Sequence, residues 1–345
     1  MNSSKLSVAI IGAGQIAGGY DQHKLNESDD VFTHAGAYKL HGDFELITIC
    51  DMNGEQAKHF QKHWQVGANA KEITEIFRQY HDVVSVCTPD ESHFSIVKEL
   101  LQSQCCKVIF VEKPVALSLT EIDQLIQLSS ATGIQVVANF QRRNEECHQK
   151  IQAFLQNRRD TVLAINAYYI KGLDHIGTTM IDTLTYLFGY PRSVLSYNRV
   201  YNQQIGTFTY EFLMFYENFN ITVKTVDSPS QSYNYHVFEI DSLLNDRRIT
   251  IQDNSRQVKV CRITDYAYSE VKTLNDRAPT IIETAFSKSM LQAVCYVYDV
   301  AKGKIPHTIN TLQTSYNSKF IVDQVKESYQ QGQIKIEIGD AEWKK

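Results

Sequence analysis

Between residues 6 and 141 the chain alternates short, almost wholly apolar runs with segments whose apolar positions recur at helical spacing. The runs 6–11, 46–50, 83–87, 108–111 and 135–138 are too short for helices and rich in β-branched residues. Such continuously apolar runs suit strands of a parallel sheet covered on both faces. Between them, residues 92–102 place Ile96, Val97, Leu100 and Leu101 on one helical face. Ser118-x-x-Glu121 is a capping box before Ile122, Leu125 and Ile126, and Gly133 supplies the glycine that ends that helix. Strand and helix in repetition predict a doubly wound parallel α/β domain over residues 1–141.

After Arg143 the pattern changes. A helix over 148–155 leads into Tyr- and Phe-rich segments with period-two alternation at 207–216, 220–226 and 233–240, and Asn245-Asp246 turns the chain into 248–252. This predicts a largely antiparallel, open sheet. With helices expected at 178–188 and 281–301, residues 142–345 form an α+β domain for substrate binding and oligomerisation. The aromatic stripe packs in the core or on a sheet face; the alternative is a homo-oligomer interface, in a dimer or tetramer, covering an open sheet.

Composition narrows the function. A chain of 345 residues exceeds one ordinary core and favours two domains. With 43% hydrophobic and 21% charged residues it is globular, and 34 basic against 39 acidic residues leave no positive field for nucleic acid or an anionic membrane. The seven cysteines are odd in number and contain no C-x-x-C pair, so neither a disulfide framework nor a metal site is expected. No apolar run approaches the roughly 20 residues of a membrane helix. The glycine spacing after Leu6 suits a strand and turn rather than a signal peptide, which places the protein in the cytoplasm.

Gly12-Ala13-Gly14-Gln15-Ile16-Ala17 follows the first strand and opens a helix. Glycines at these spacings let backbone approach a pyrophosphate at the helix N-terminus, so Gly12, Gly14, Gln15 and Ile16 are cofactor-binding candidates. Asp51 ends the second strand, where a carboxylate accepts hydrogen bonds from both adenosine ribose hydroxyls. Its charge repels a 2′-phosphate, and Met52-Asn53 adds no cation, so NAD is favoured over NADP. Asp51 lies 39 residues after Gly12, against roughly 20 in the usual fingerprint. The extra residues fall near 20–37, an acidic segment with His23 and His34 that reads as a solvated loop in preference to a lid.

Cys87-Thr88-Pro89 with His93, Glu112-Lys113-Pro114, and Asn139-Phe140-Gln141-Arg142-Arg143 stand in order behind the glycine turn. In this combination the chain resembles the Gfo/Idh/MocA family of glucose-fructose oxidoreductase and inositol dehydrogenase-like enzymes, over nearly its whole length. The resemblance implies a Rossmann domain, a C-terminal domain with an open sheet, NAD(P), and hydride transfer at a carbinol carbon of a sugar or cyclitol. It also implies that Thr88, Pro89, His93, Glu112 and Lys113 border the cofactor, and a Lys-Pro bond that is often cis. Independently, Lys113 stands at the carboxyl end of a parallel strand, where ligands bind in open α/β sheets. An ammonium partly desolvated there has a lowered pKa and can exchange a proton with a substrate hydroxyl. Glu112 pairs with Lys113 or touches the cofactor ribose. Arg142 and Arg143 position an anionic substrate or join the two domains by ion pairs.

Family enzymes usually carry Asp-x-x-x-His before a helix of the substrate domain. The matching segment is Asp174-His175-Ile176-Gly177-Thr178-Thr179-Met180-Ile181-Asp182. Aligned on Gly177 and Ile181-Asp182, the usual Asp falls on His175 and the usual His on Thr179. His175 takes over as acid/base if the helix begins early, with Thr179 as hydrogen-bond partner and Asp174 as its orienting group; the alternative is a helix-entry residue bonded to backbone. Lys171 and Asp182 are further candidates for substrate contact, Lys171 being otherwise a solvated side chain. The reading is an NAD-dependent dehydrogenase or reductase acting on a secondary alcohol or ketone of a sugar, nucleotide sugar or cyclitol. Its rival is a dinucleotide-binding sensor without catalysis, as the yeast galactose-gene inhibitor of this family is thought to be. A third option keeps catalysis on another substrate, as in the similar biliverdin reductases.

Overall fold

The computed structural model of the protein describes residues 5–22, 30–203, 205–228, 236–266, 270–339 and 342–344. The chain divides into two units, Met1–Glu145 with Ser287–Tyr316, and Glu146–Phe286 with Asn317–Lys345. A contiguous division at 141/142 therefore leaves out the return of Ser287–Tyr316 to the first unit.

The first unit is built on six parallel strands, β1 (Leu6–Ile11), β2 (Phe44–Cys50), β3 (Ala68–Ala70), β4 (His81–Val86), β5 (Cys106–Val111) and β6 (Gln135–Ala138), in the order β3-β2-β1-β4-β5-β6. Both faces are covered, as their unbroken apolar runs require. Val8 and Ile10 lie in one core with Val83, Val108, Phe110 and Val137; Ala9 and Ile11 lie in the other with Val84, Val86, Ile109 and Val111. Register aligns Ile11 with Cys50 and Val86, Val86 with Val111, and Val111 with Ala138. The next residues along each strand, Gly12, Asp51, Cys87, Glu112 and Asn139, thus emerge along one edge, where the order reverses between β1 and β4.

The helix Leu119–Thr132 carries the expected capping box at Ser118 and Glu121 and ends on left-handed Gly133. Three elements depart from expectation. Residues 20–37 are not a solvated loop throughout: Thr33 caps a helix at His34–His41 by accepting from Gly36 N, and His34 and Tyr38 are fully buried. His23, Glu27 and Asp29 lie outside the described residues. The helix expected at 281–301 begins at Ser289, because the β-branched residues at its start form a strand. From Ser289 to Ala301 it covers one face of the parallel sheet through Met290, Ala293, Val294 and Val297. Finally, a helix over Leu312–Gln330 was not expected.

The second unit holds β7 (Val162–Tyr169), β8 (Ser193–Asn202), β9 (Thr207–Phe215), β10 (Asn220–Thr225), β11 (Phe238–Leu244), β12 (Arg247–Gln252), β13 (Gln257–Asp265), β14 (Lys272–Leu274), β15 (Thr280–Glu283) and β16 (Ile336–Glu337). They form one sheet in the order β14-β13-β12-β11-β7-β10-β9-β8-β16, with β15 beside β13. The pairing is antiparallel except between β7 and β10. Alternate residues such as Phe238, Ile240 and Leu244 of β11 face a core completed by the helices Glu146–Gln156 and Thr178–Phe188 and by Ile321, Val322 and Val325. Of the strand expected at 233–240, residues 233–235 lie outside the described residues. Among the described residues no helix is long and apolar enough to cross a membrane.

Candidate active site

The two glycines of the first turn meet different surroundings. Gly12 has φ +92°, and a Cβ there would lie 2.8 Å from the carbonyl carbon and oxygen of Cys87 and 2.9 Å from Thr88 N. Gly14 has an ordinary φ of −79°, and a Cβ there meets nothing within 4 Å. The first glycine lets β1 and β4 close on each other, and the second leaves open space in front of the backbone. Gln15–Gly19 then form a π-helical turn in which Gln15 is exposed and Ala17 is fully buried.

Asp51 is half-buried and accepts hydrogen bonds from Ala13 N (2.7 Å) and Asn53 N (2.8 Å). The carboxylate is thereby fixed against the glycine turn. Asn53 caps the helix Gly54–Trp64, and Lys71 lays its side chain over Gly54, where a Cβ would come within 2.6 Å of its Cε. A cation therefore stands over Gly54, at the start of the helix after Asp51, which the neighbouring Met52-Asn53 did not reveal.

Glu112 and Lys113 follow β5, and the Lys113-Pro114 bond is cis. The Glu112 carboxylate accepts from His34 Nε2 (3.0 Å) and Asn139 Nδ2 (2.6 Å). His34 Nδ1 in turn meets Ser85 Oγ at 3.1 Å, and Tyr38 Oη meets the same hydroxyl at 2.7 Å. Burial alone would raise the Glu112 carboxyl; the bond from His34, the Asn139 amide and the Lys113 ammonium outweigh it and hold the carboxyl below its ordinary value. Burial pushes the half-buried Lys113 ammonium below its ordinary value, Glu112 and Asp90 oppose that, and Arg142 adds to it. Glu112, clamped by His34 and Asn139, thus opposes the effect of burial on the Lys113 amine. His34 and Asn139 were not expected at the site.

His93 is a correction. Its ring is fully buried, with Nδ1 2.7 Å from Pro114 O and Nε2 2.7 Å from Thr88 O. Both nitrogens are spent on backbone carbonyls, so this residue ties the bend after β4 to the bend after β5 and offers no ring nitrogen to a cofactor. Thr88 Oγ1 accepts from Ser92 Oγ at 2.7 Å, and Pro89 precedes the helix Asp90–Ser103. Arg142 and Arg143 are both buried on the turn Gln141–Arg143 and both engaged. Asn139 Oδ1 and both amide atoms of Asn144 are buried without a hydrogen-bond partner among the described residues. Polar atoms left this way near a strand-end site are ready acceptors and donors for a ligand.

In the second unit, Lys171 is left-handed (φ +62°) and its N–H is held by Asp227 at 2.9 Å. The π-helical turn Gly172–Gly177 runs directly into the helix Thr178–Phe188, so the helix begins early, but Thr179 is not the hydrogen-bond partner expected for His175. His175 is exposed and Thr179 Oγ1 is buried without a partner among the described residues. Asp174 does not orient His175: its carboxylate pairs with Lys326 at 2.6 Å. Asp182 is 1% exposed and accepts from Ser318 Oγ at 3.3 Å, so it packs under the helix Leu312–Gln330 instead of facing a substrate.

Residues 6–140 match the sequence model of an oxidoreductase family with an NAD-binding Rossmann fold, Gfo/Idh/MocA. The D-glucoside 3-dehydrogenase of Escherichia coli (strain K12) is 28% identical over 60% of this chain and 60% of its own length. The myo-inositol 2-dehydrogenase of Thermotoga maritima is 24% identical over 36% of this chain and 37% of its own. Each match spans less than two thirds of the relative. An oxidoreductase structure from Agrobacterium radiobacter, in complex with NAD+, L-tartaric acid and magnesium, has the same fold, with TM-score 0.75 at 14% identity over 98% of this chain and 100% of that one. The part of the chain that is similar to the Gfo/Idh/MocA oxidoreductases in sequence is thus residues 6–140, the part with the NAD-binding Rossmann fold.

Proposed function

We propose that the protein is an NAD-dependent oxidoreductase that transfers hydride between the nicotinamide and a secondary alcohol or ketone of a sugar, nucleotide sugar or cyclitol. The observation that carries this reading is Lys113: a half-buried amine of lowered basicity, beside a clamped Glu112, on the strand-end edge that also bears Gly12 and Asp51. The cofactor fits the residues present, because the space in front of Gly14 is clear and Asp51 is fixed at the end of β2. Gly12 to Ile16 would hold the pyrophosphate and Asp51 the adenosine ribose; when bound, the nicotinamide supplies the hydride acceptor or donor. Lys113 accepts the substrate hydroxyl proton during oxidation and returns it during reduction. His175 is the second proton-transfer group, with Thr179 on the turn beyond it and Lys171 contacting substrate.

The relatives support a sugar-type substrate, one being a glucoside 3-dehydrogenase and the other an inositol 2-dehydrogenase. The test is a panel of hexoses, glycosides, nucleotide sugars and inositols assayed with NAD, repeated with Lys113→Met. That variant should lower turnover about 10²-fold or more and leave NAD affinity within about twofold. Activity within a few-fold of wild type would make Lys113 structural. A non-catalytic dinucleotide sensor is the second reading, favoured by Thr179 standing where family enzymes carry an imidazole; NAD binding without turnover on the whole panel would support it.

A further inference from the structure

Among the described residues of the first unit, His34 is the one ring with both nitrogens in a side-chain chain that ends on the Glu-Lys-Pro bend. The donor directions of that chain follow from chemistry. Ionised Glu112 only accepts, so His34 Nε2 carries the proton of the 3.0 Å bond. A neutral imidazole then accepts at Nδ1, so the Ser85 hydroxyl donates across 3.1 Å. Ser85 has spent its one proton, and the Tyr38 hydroxyl donates to it across 2.7 Å. In this arrangement every polar hydrogen from Tyr38 to Glu112 has an acceptor. The opposite one, with Nδ1 donating, would leave one hydroxyl proton, that of Ser85 or that of Tyr38, without an acceptor among the described residues. Tyr38, Ser85 and His34 are all fully buried, so the unsatisfied alternative is costly.

We propose that His34 is a positioning residue: Tyr38 and Ser85 lock its tautomer, and His34 in turn fixes the Glu112 carboxylate beside Lys113 and so sets the charge state of the Lys113 amine. This rests on the reading of Lys113 as the proton-transfer group, but the chain of contacts stands apart from any substrate. The groups facing Lys113 are Glu112, Asp90 and Arg142; those facing Glu112 are His34, Lys113, Cys87 and Asp90. Cys87 is a thiol whose acidity burial suppresses, which leaves His34 and Asn139 as the donors that keep Glu112 ionised. Without the His34 donor, burial drives the Glu112 carboxyl upward. The negative charge that raises Lys113 is then partly lost, and Lys113 becomes a weaker base.

The experiment reads Lys113 directly, without turnover. Competitive labelling of the intact protein with acetic anhydride, followed by mass spectrometry of the Lys113 peptide across a pH series, gives the midpoint at which the amine becomes reactive. His34→Ala should lower that midpoint by about one pH unit, and Ser85→Ala should lower it in the same direction by less. His34→Gln, whose amide can still donate to Glu112, should keep the wild-type midpoint. A midpoint unmoved in His34→Ala overturns the proposal, as does His34→Gln shifting as far as His34→Ala. If His34→Ala does not fold, Ser85→Ala decides alone: a lowered midpoint supports the proposal and an unchanged one overturns it. Failure of the dehydrogenase reading leaves these midpoints untouched, whereas failure of the positioning role appears in them whatever the protein catalyses.

Discussion

Replacing Gly12 by alanine puts a methyl carbon 2.8 Å from the Cys87 carbonyl and 2.9 Å from Thr88 N, all backbone atoms of the strand end beside it. No side-chain rotation relieves such a contact; β1 and β4 must separate at their carboxyl ends. The φ of +92° adds the cost of a left-handed L-residue, about 1–2 kcal/mol, and overpacking adds about 1–3 kcal/mol. A total near 3 kcal/mol should lower the melting temperature of this unit by about 6–12 °C. Gly14→Ala is the control, because its φ is ordinary and its Cβ meets nothing within 4 Å. It should melt within about 1 °C of wild type, yet its methyl group fills the space where a pyrophosphate would lie, and NAD affinity should fall about tenfold or more. Scanning calorimetry of the cofactor-free variants and calorimetric titration with NAD separate the two effects. A Gly14→Ala protein that binds NAD like wild type refutes the placement of the pyrophosphate, and an unchanged melting temperature in Gly12→Ala refutes the steric argument.

Asp51→Ala should weaken NADH about tenfold and strengthen NADPH, since the repelling carboxylate goes while Lys71 stays over Gly54; fluorescence titration checks it, and tighter NADPH than NADH binding by the unmodified protein would sink the argument. His175→Ala should remove from the pH profile of hydride transfer the limb titrating in the imidazole range, and Thr179→His should change activity little; a large gain from Thr179→His with His175→Ala silent would favour the sensor reading. Burial holds the His307 imidazole below its ordinary value, against the opposing bond to Val136 O. Its folded form resists charging, so the stability it contributes is complete above the ordinary imidazole range and declines as pH falls through it. His307→Gln should flatten the drop in melting temperature between about pH 7 and about pH 5, and an unaltered slope would assign that drop to other groups.

How far the sequence discloses these features depends on whether their signal is local. The strands of the first unit are legible because a sheet covered on both faces leaves each strand apolar at nearly every position, as in Val83, Val84 and Val86. Gly12, Asp51 and Lys113 are legible because each stands at a fixed offset from a strand end. The helix Leu312–Gln330 is not, because much of what it buries is polar: Thr314, Ser315, Asn317, Ser318 and Ser328 are all buried, which erases the apolar period that marks a helix. The helix His34–His41 buries mostly small residues, Ala35 and Ala37 with Tyr38, behind an acidic segment that reads as loop. Its partner Glu112 is 78 residues away, and no pattern within either segment announces the pairing. Asp182 misled for the opposite reason: a carboxylate in a motif-like segment reads as functional, and only Ser318, 136 residues on, shows that it is buried under a helix.

The same contacts account for an insertion being tolerated beside the site. The chain leaves the glycine turn through Tyr20–Gln22 and returns at Thr33, and Asp21 joins the two ends by accepting from Phe32 N (3.2 Å), Thr33 N (3.0 Å) and Thr33 Oγ1 (2.5 Å). The entropic cost of tying two ends together grows only logarithmically with the length between them, about 0.6 kcal/mol for each doubling. The excursion's length therefore presses little on the helix at its far end. Thr33, held by Asp21, caps that helix, whose first residue is His34, and the helix delivers the imidazole to Glu112 whatever lies between Gln22 and the clamp. Glu112 receives His34 from before β2 and Asn139 from after β6, two segments far apart in sequence that meet because the sheet order brings their strand ends to one edge. A carboxylate oxygen held by two separate segments stays fixed when either loop varies in length, and its charge stays one residue from Lys113.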